Sequence, residues 1–209
     1  MDAYKTVRRE GCGEYEVKRS RFLCYVCPVT TQEEAQAFIA SVKQKHWDAR
    51  HNCSAYILRE GGVKRFSDDG EPQGTAGMPI LDVLEKSGVT DVCVVITRYF
   101  GGILLGAGGL VRAYSHSAAL ALEAGEIITM TPCVACTLTC DYTLYGRIPA
   151  LIAAHGGQDR GAEFTDAVNV SFLLPEDALD AFQTQLTEWS SGGCRAEVTE
   201  HLFAEIKKT

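Results

Sequence analysis

No apolar run in this chain of 209 residues approaches the ~20 residues that a membrane-spanning helix needs. The N-terminal stretch MDAYKTVRREGCGEYE has no apolar core of the kind that marks a secretory signal. On these two absences the cytoplasm is the expected compartment, and no membrane partner is expected. Positive charge is also scarce. With 20 Lys and Arg against 27 Asp and Glu, the formal net charge is −7. That balance opposes broad, nonspecific binding to a polyanion, which needs many basic contacts, but it leaves room for a local basic pocket. Neither internal repeats nor low-complexity segments are found.

An even set of cysteines is missing too. There are nine, and an odd count without a secretory signal points to reduced thiols and not to a disulfide framework. Two C-x-x-C pairs occur, Cys24–Cys27 and Cys133–Cys136. Their contexts, FLCYVCPV and PCVACTLTC, read as strand, where residues i and i+3 point to opposite faces. That geometry disfavours a shared zinc ion, so the cysteines are read as small buried apolar residues.

What is present is ordinary globular material, 46% hydrophobic and 22% charged, in a length that suits one large or two small domains. Residues 13–27 read as a hairpin. A helix follows, with Thr30 or Thr31 as cap, Glu33 and Glu34 as capping box, and Ala35, Phe38, Ile39 and Val42 on one face. Cys53–Leu58 and Val63–Phe66 read as strands around a Gly61-Gly62 turn. SDDGEPQGTAG is a loop leading into a helix over about 76–86, with Gly88 just past its end. VCVVIT, residues 92–97, has no polar break and predicts a central strand covered on both faces. A glycine-rich stretch leads to a helix over 110–124.

Thr131-Pro132 reads as a domain boundary, giving units of 1–131 and 132–209. The second unit reads β-α-β-β-α-β, the ferredoxin-like order, with Pro149 forcing a kink or late start in its first helix. The fold class is therefore α+β.

The chemistry centres on RYFGGILLGAGGLVR, from Arg98 to Arg112. Gly101, Gly102, Gly106, Gly108 and Gly109 lie between a buried strand and a helix, where glycine permits positive φ and close approach. Amides at a helix start form an anion site, and Arg98 or Arg112 supplies a guanidinium fork. No Gly-Lys-Ser/Thr follows, so this is not a Walker loop. Val111 stands where the dinucleotide fingerprint needs its third glycine. A tight crossover packed by glycine is the rival explanation. Asp68, Asp69 and Glu71 form a second candidate: clustered carboxylates bind Mg²⁺ or act as acid and base, against the plainer expectation of a solvated acidic turn. His51 and Cys53 form a third, but no orienting group completes a triad, so His51 is read as structural or ligand-lining. His116 is read as a packing residue.

SRFLCYV, HNCSAY, FSDDGEPQGTAGMPIL and VVITRYFGGILLGAGGLVRAY resemble the YigZ/IMPACT family, from about Ser20 to Gly125. The region from about Thr137 onward is similar to the extra C-terminal domain of the bacterial YigZ-type members. The resemblance implies an N-terminal β-α sandwich like the second domain of a ribosomal small-subunit protein. It implies a C-terminal domain like the last domain of elongation factor G. Eukaryotic IMPACT proteins regulate translation by binding the activator of a kinase that phosphorylates an initiation factor. They use an additional N-terminal domain that has no counterpart in this chain.

The leading expectation is a regulatory binding module contacting RNA, the ribosome or a translation factor. Arg98, the five glycines and Arg112 would hold a phosphate, with His51, Asp68, Asp69 and Glu71 lining the same cleft. No cofactor is expected. The alternative is a Mg²⁺-dependent enzyme acting on a nucleotide or phosphorylated small molecule. A third is a protein–protein adaptor with an exposed apolar patch.

Overall fold

A computed structural model describes residues 2–206. The chain forms two compact units, one of Tyr4–Ile128 and one from Thr129 onward that also takes in Asp2 and Ala3.

The first unit contains β1 (Tyr4–Val7), β2 (Gly11–Val17), β3 (Ser20–Pro28), α1 (Gln32–Lys45), β4 (His51–Ile57), β5 (Lys64–Ser67), α2 (Gly77–Ser87), β6 (Val92–Tyr99) and α3 (Ala107–Gly125). Its five-stranded sheet runs β2-β3-β6-β4-β5, antiparallel throughout. Strand periodicity sorts the side chains into two cores. Phe22, Cys24, Val26, Cys53, Ala55, Val94 and Ile96 pack with Ile80 and Leu84 of α2 and Tyr114 and Ala118 of α3. Tyr56, Cys93 and Val95 face the other way, onto Ala35 and Val42 of α1. The unbroken apolar run of β6 is thus covered on both faces. Local signals fix the helix ends. Thr31 and Glu34 form the expected capping box at α1, and Gly88 closes α2 in the left-handed region at φ 67°.

The second unit contains β7 (Ile127–Cys140, which starts just before the division), α4 (Tyr142–Tyr145), α5 (Ile148–Ala154), β8 (Gln158–Phe164), β9 (Val168–Pro175), α6 (Leu179–Ser190) and β10 (Glu197–Ala204). Its strands lie in the order β10-β7-β9-β8, all antiparallel, the ferredoxin-like arrangement. Leu151, Ile152, Phe182 and Leu186 bury one face of the sheet against Val134, Leu138, Val170 and Phe172. Pro149 acts as expected: the helix breaks after Tyr145 and resumes with proline in its first turn. β7 runs straight through Thr131-Pro132. Pro132 stands opposite Phe203 near the end of β10, where a missing donor costs the ladder little. All nine cysteines are free thiols. Cys24 and Cys27 pack into cores on opposite faces, and so do Cys133 and Cys136.

Candidate functional site

Arg98 is the penultimate residue of β6 and stands between Phe22 on β3 and His51 on β4. It is on the face shared with Ile96, so its long side chain runs under α3. It meets Glu71 there. Arg98 Nη1 donates to Glu71 Oε1 at 2.7 Å, and the two side chains are only 7% and 3% exposed. Tyr114 of α3 donates its hydroxyl to the same oxygen at 2.8 Å. The Cys53 thiol lies 3.4 Å from that hydroxyl and 3.0 Å from the Asp68 carbonyl. Burial pushes the Tyr114 phenol well above its usual range and the Cys53 thiol up to about 12, so both stay protonated at neutral pH. A buried thiol held by the Asp68 carbonyl and the Tyr114 hydroxyl does not fit the exposed, electropositive setting of a reactive cysteine. Arg98 Nε is buried with no partner among the described residues. Its guanidinium lies 5.6 Å from the Phe22 ring centroid and 5.5 Å from that of Phe100.

The acidic loop after β5 is held by its own carboxylates. Asp68 accepts from the amides of Gly74, Ala76 and Gly77 at 2.8, 3.0 and 2.8 Å. It therefore caps α2, whose N-cap residue Ala76 has no side-chain acceptor. Asp69 accepts from the Asn52 amide and from Lys43 Nζ, both at 2.7 Å. The Asp69 carbonyl is 3.0 Å from His51 Nδ1. A carbonyl only accepts, so Nδ1 is the donor in this contact. All three carboxylates are thus engaged by protein donors. Among the described residues no group of three or more His, Cys, Asp or Glu side chains is placed to hold one metal ion.

The glycine stretch is open by contrast. Phe100–Gly106 has no regular structure. A Cβ at Gly101 would lie 2.0 Å from the Arg19 carbonyl carbon, so only glycine fits there. Gly106, at φ 71° and ψ 164°, is the N-cap of α3 and supplies no side-chain acceptor. Helical bonding starts with Leu110, whose amide reaches the Gly106 carbonyl. The amides before it are the orphan donors of a helix start. Gly102, Gly106 and Gly108 are exposed and Gly109 half-buried, and Arg112 is exposed one turn in. Arg98 and Glu71 thus meet directly, His51 joins them through the Asp69–Gly70 turn, and Asp68 and Asp69 turn to backbone and Lys43. Arg112 keeps to the surface beside Gly108. His116 packs edge-on against Tyr15, centroids 4.4 Å apart. Sequence reasoning missed Tyr114, Lys43 and Asn52. Tyr114 carried a usable signal, a tyrosine two residues past Arg112 on the helix.

An uncapped helix start beside a sealed ion pair, on a β-α sandwich joined to a ferredoxin-like unit, defines a two-domain α+β protein with an open glycine-rich loop. Residues 18–122 match the Impact N-terminal domain, and residues 138–192 match a domain of unknown function, DUF1949. The chain is 38% identical to the IMPACT family member YvyE of Bacillus subtilis over 209 residues, covering all of this chain and 95% of that one. It is 38% identical to the IMPACT family member YigZ of Escherichia coli over 180 residues, 85% of this chain and 88% of that one. Mouse Protein IMPACT is 36% identical over 93 residues, 43% of this chain and 29% of that one. A crystal structure of a hypothetical protein superposes with TM-score 0.60 at 35% identity, covering 96% of this chain and 98% of that one. The chain belongs to the IMPACT family.

No described helix is long and apolar enough to cross a membrane.

Proposed function

We propose that this chain is a translation-associated regulatory protein that binds RNA, the ribosome or a translation factor through the face made by the glycine loop and the start of α3. One observation carries this reading. Exposed Arg112 lies beside Gly108 at the uncapped start of α3, and the exposed Lys18–Arg19 turn packs its backbone against Gly101 of the same glycine stretch; none of the three cations has a carboxylate partner among the described residues. Orphan amides and unpaired guanidinium groups favour an anionic ligand. Family membership supports the same reading, since eukaryotic IMPACT proteins regulate translation. Arg98 and Glu71 contribute by position: their pair ties the acidic loop to the end of β6 and so sets where the glycine loop begins.

The test is co-sedimentation with ribosomes from the parent cell, alongside titration against small structured RNAs. Wild type is expected to bind in one assay or both. Affinity should fall with salt by roughly one unit of log–log slope per phosphate contacted. Arg112→Glu should weaken it. Absence of binding to either at low salt removes RNA and the ribosome as partners and leaves only a translation factor; wild-type affinity in Arg112→Glu contradicts the reading.

A further inference from the structure

The glycine loop exposes more hydrocarbon than an anion site requires. Phe100 is 51% exposed, Ile103 43%, Leu104 81% and Val111 37%. Single exposed apolar side chains are ordinary, but four on one loop and the first two turns of its helix mark a contact surface.

The cations belong to the same surface. β2 and α3 lie side by side in opposite directions. A Cβ at Gly11 would meet Ala124, one at Gly13 would touch Leu120, and Tyr15 packs on His116. Two residues forward on β2 are four back on α3, which brings the Lys18–Arg19 turn to Arg112. The Arg19 backbone also lies against Gly101. Lys18 and Arg19 sit at φ 47° and 63°, the two left-handed positions of a hairpin turn that ordinarily go to Asn and Gly. Two long basic side chains at such positions are a costly local choice, of the kind found at functional sites. The nearby hairpin acids are Glu14, which pairs with Arg21, and Glu16.

We infer that this surface docks an acidic, amphipathic segment of a partner protein. The inference rests on the binding reading above and narrows its partner. Apolar residues of the segment cover Ile103, Leu104 and Val111. Its carboxylates meet Lys18, Arg19, Arg112 and the free amides of α3. Regularly spaced anchors on a groove or ridge are an established mode of peptide recognition. RNA fits less well. Of the four exposed apolar side chains only Phe100 is aromatic, and Ile103, Leu104 and Val111 give bases no stacking platform; a net charge of −7 repels a long polyanion while leaving a short acidic segment to meet only the local cations.

The experiment places the photo-cross-linker p-benzoylphenylalanine at position 104 of the full chain in the parent cell, with position 164 of the exposed Phe164 as control. Cross-linked species are treated with nuclease or protease and the attachment site is read by mass spectrometry. The expected product survives nuclease. It maps to a segment in which Asp and Glu exceed Lys and Arg and apolar residues recur every three or four positions. Its yield falls about tenfold or more, the equivalent of ~1.4 kcal/mol, when Lys18, Arg19 and Arg112 are changed to Glu. The milder Arg112→Gln, which keeps a similar stem, guards against misfolding and should lower the yield in the same direction. A nuclease-sensitive product overturns the inference. So does a segment without acidic excess, a yield no higher than at position 164, or a yield unmoved by charge reversal. Ribosome co-sedimentation of Leu104→Asp separates the two readings. Binding that survives it leaves the translation reading standing and overturns this one. An acidic-segment cross-link to a protein outside the translation apparatus, without any ribosome or RNA binding, does the reverse.

Discussion

Arg98 and Arg112 stand at opposite ends of one glycine-rich stretch, yet their surroundings differ completely. Arg98 is sealed beneath α3, paired with Glu71 and flanked by Phe22 and Phe100. Arg112 lies in solvent beside the uncapped start of the same helix. A buried guanidinium depends on its carboxylate, because removing one partner strands a charge in a poorly solvated site. An exposed one contributes little to folding and remains available to a ligand. The difference teaches that an arginine's place in a motif does not fix its work. Burial and pairing do: Arg98 is fixed inside the fold by Glu71, and Arg112 is left exposed on the face proposed to bind.

The largest expected effect strikes the buried side of that contrast. Arg98→Ala leaves Glu71 unpaired under Tyr114 and should cost ~3–5 kcal/mol, read as a lower midpoint in urea unfolding. A loss below ~1 kcal/mol, within the range of an exposed pair, would erase the distinction between the two arginines. Gly101→Ala comes next. Its Cβ would meet the Arg19 backbone at 2.0 Å, and overpacking of this kind costs ~1–3 kcal/mol. Asp68→Ala removes the acceptor for three amides at the start of α2 and should cost ~1–2 kcal/mol. Asp68→Asn should recover most of it, since Asn also caps.

Alkaline pH probes the same buried cluster. The Cys53 thiol is raised from 9.0 to about 12 by burial. Its contribution is intact below pH 9, where the thiol is protonated in both states. Above that, the unfolded thiol ionises while the folded one does not, and stability falls by up to ~1.4 kcal/mol per pH unit until about pH 12. Cys53→Ala should flatten the part of this slope that belongs to the cluster, measured by urea midpoints between pH 8 and 10. An unchanged slope would place Cys53 outside it. The smallest effects on stability belong to the exposed side: Arg112→Ala and Leu104→Asp should stay within ~0.5 kcal/mol of wild type.

Much of the fold was legible because its signals are local. The unbroken apolar run of β6, the Thr31–Glu34 box, Gly88 and Pro149 each act over a few residues. Two boundaries were hidden by the same kind of reasoning. The helix read as 110–124, but Gly108 and Gly109 lie inside it despite their poor helix propensity, because positive-φ Gly106 allows α3 to begin at Ala107. Thr131-Pro132 read as a domain boundary; the units divide at Ile128/Thr129, and the place of Pro132 near the end of β10 lets β7 continue through it. Within the candidate site, residue types were legible and pairings were not. Nothing local tells Asp68 from Glu71. One caps α2 and the other pairs with Arg98, because β5, β6 and α3 are brought together only by tertiary packing. The bond from Tyr114 to Glu71 was hidden for the same reason.

The most direct measurement is ribosome co-sedimentation of Arg112→Glu beside wild type, with the unfolding midpoint of each recorded. Unchanged stability with affinity lowered about tenfold, or ~1.4 kcal/mol, is the predicted result. Wild-type affinity in a fully folded Arg112→Glu would contradict a contact role for the open face of the glycine loop.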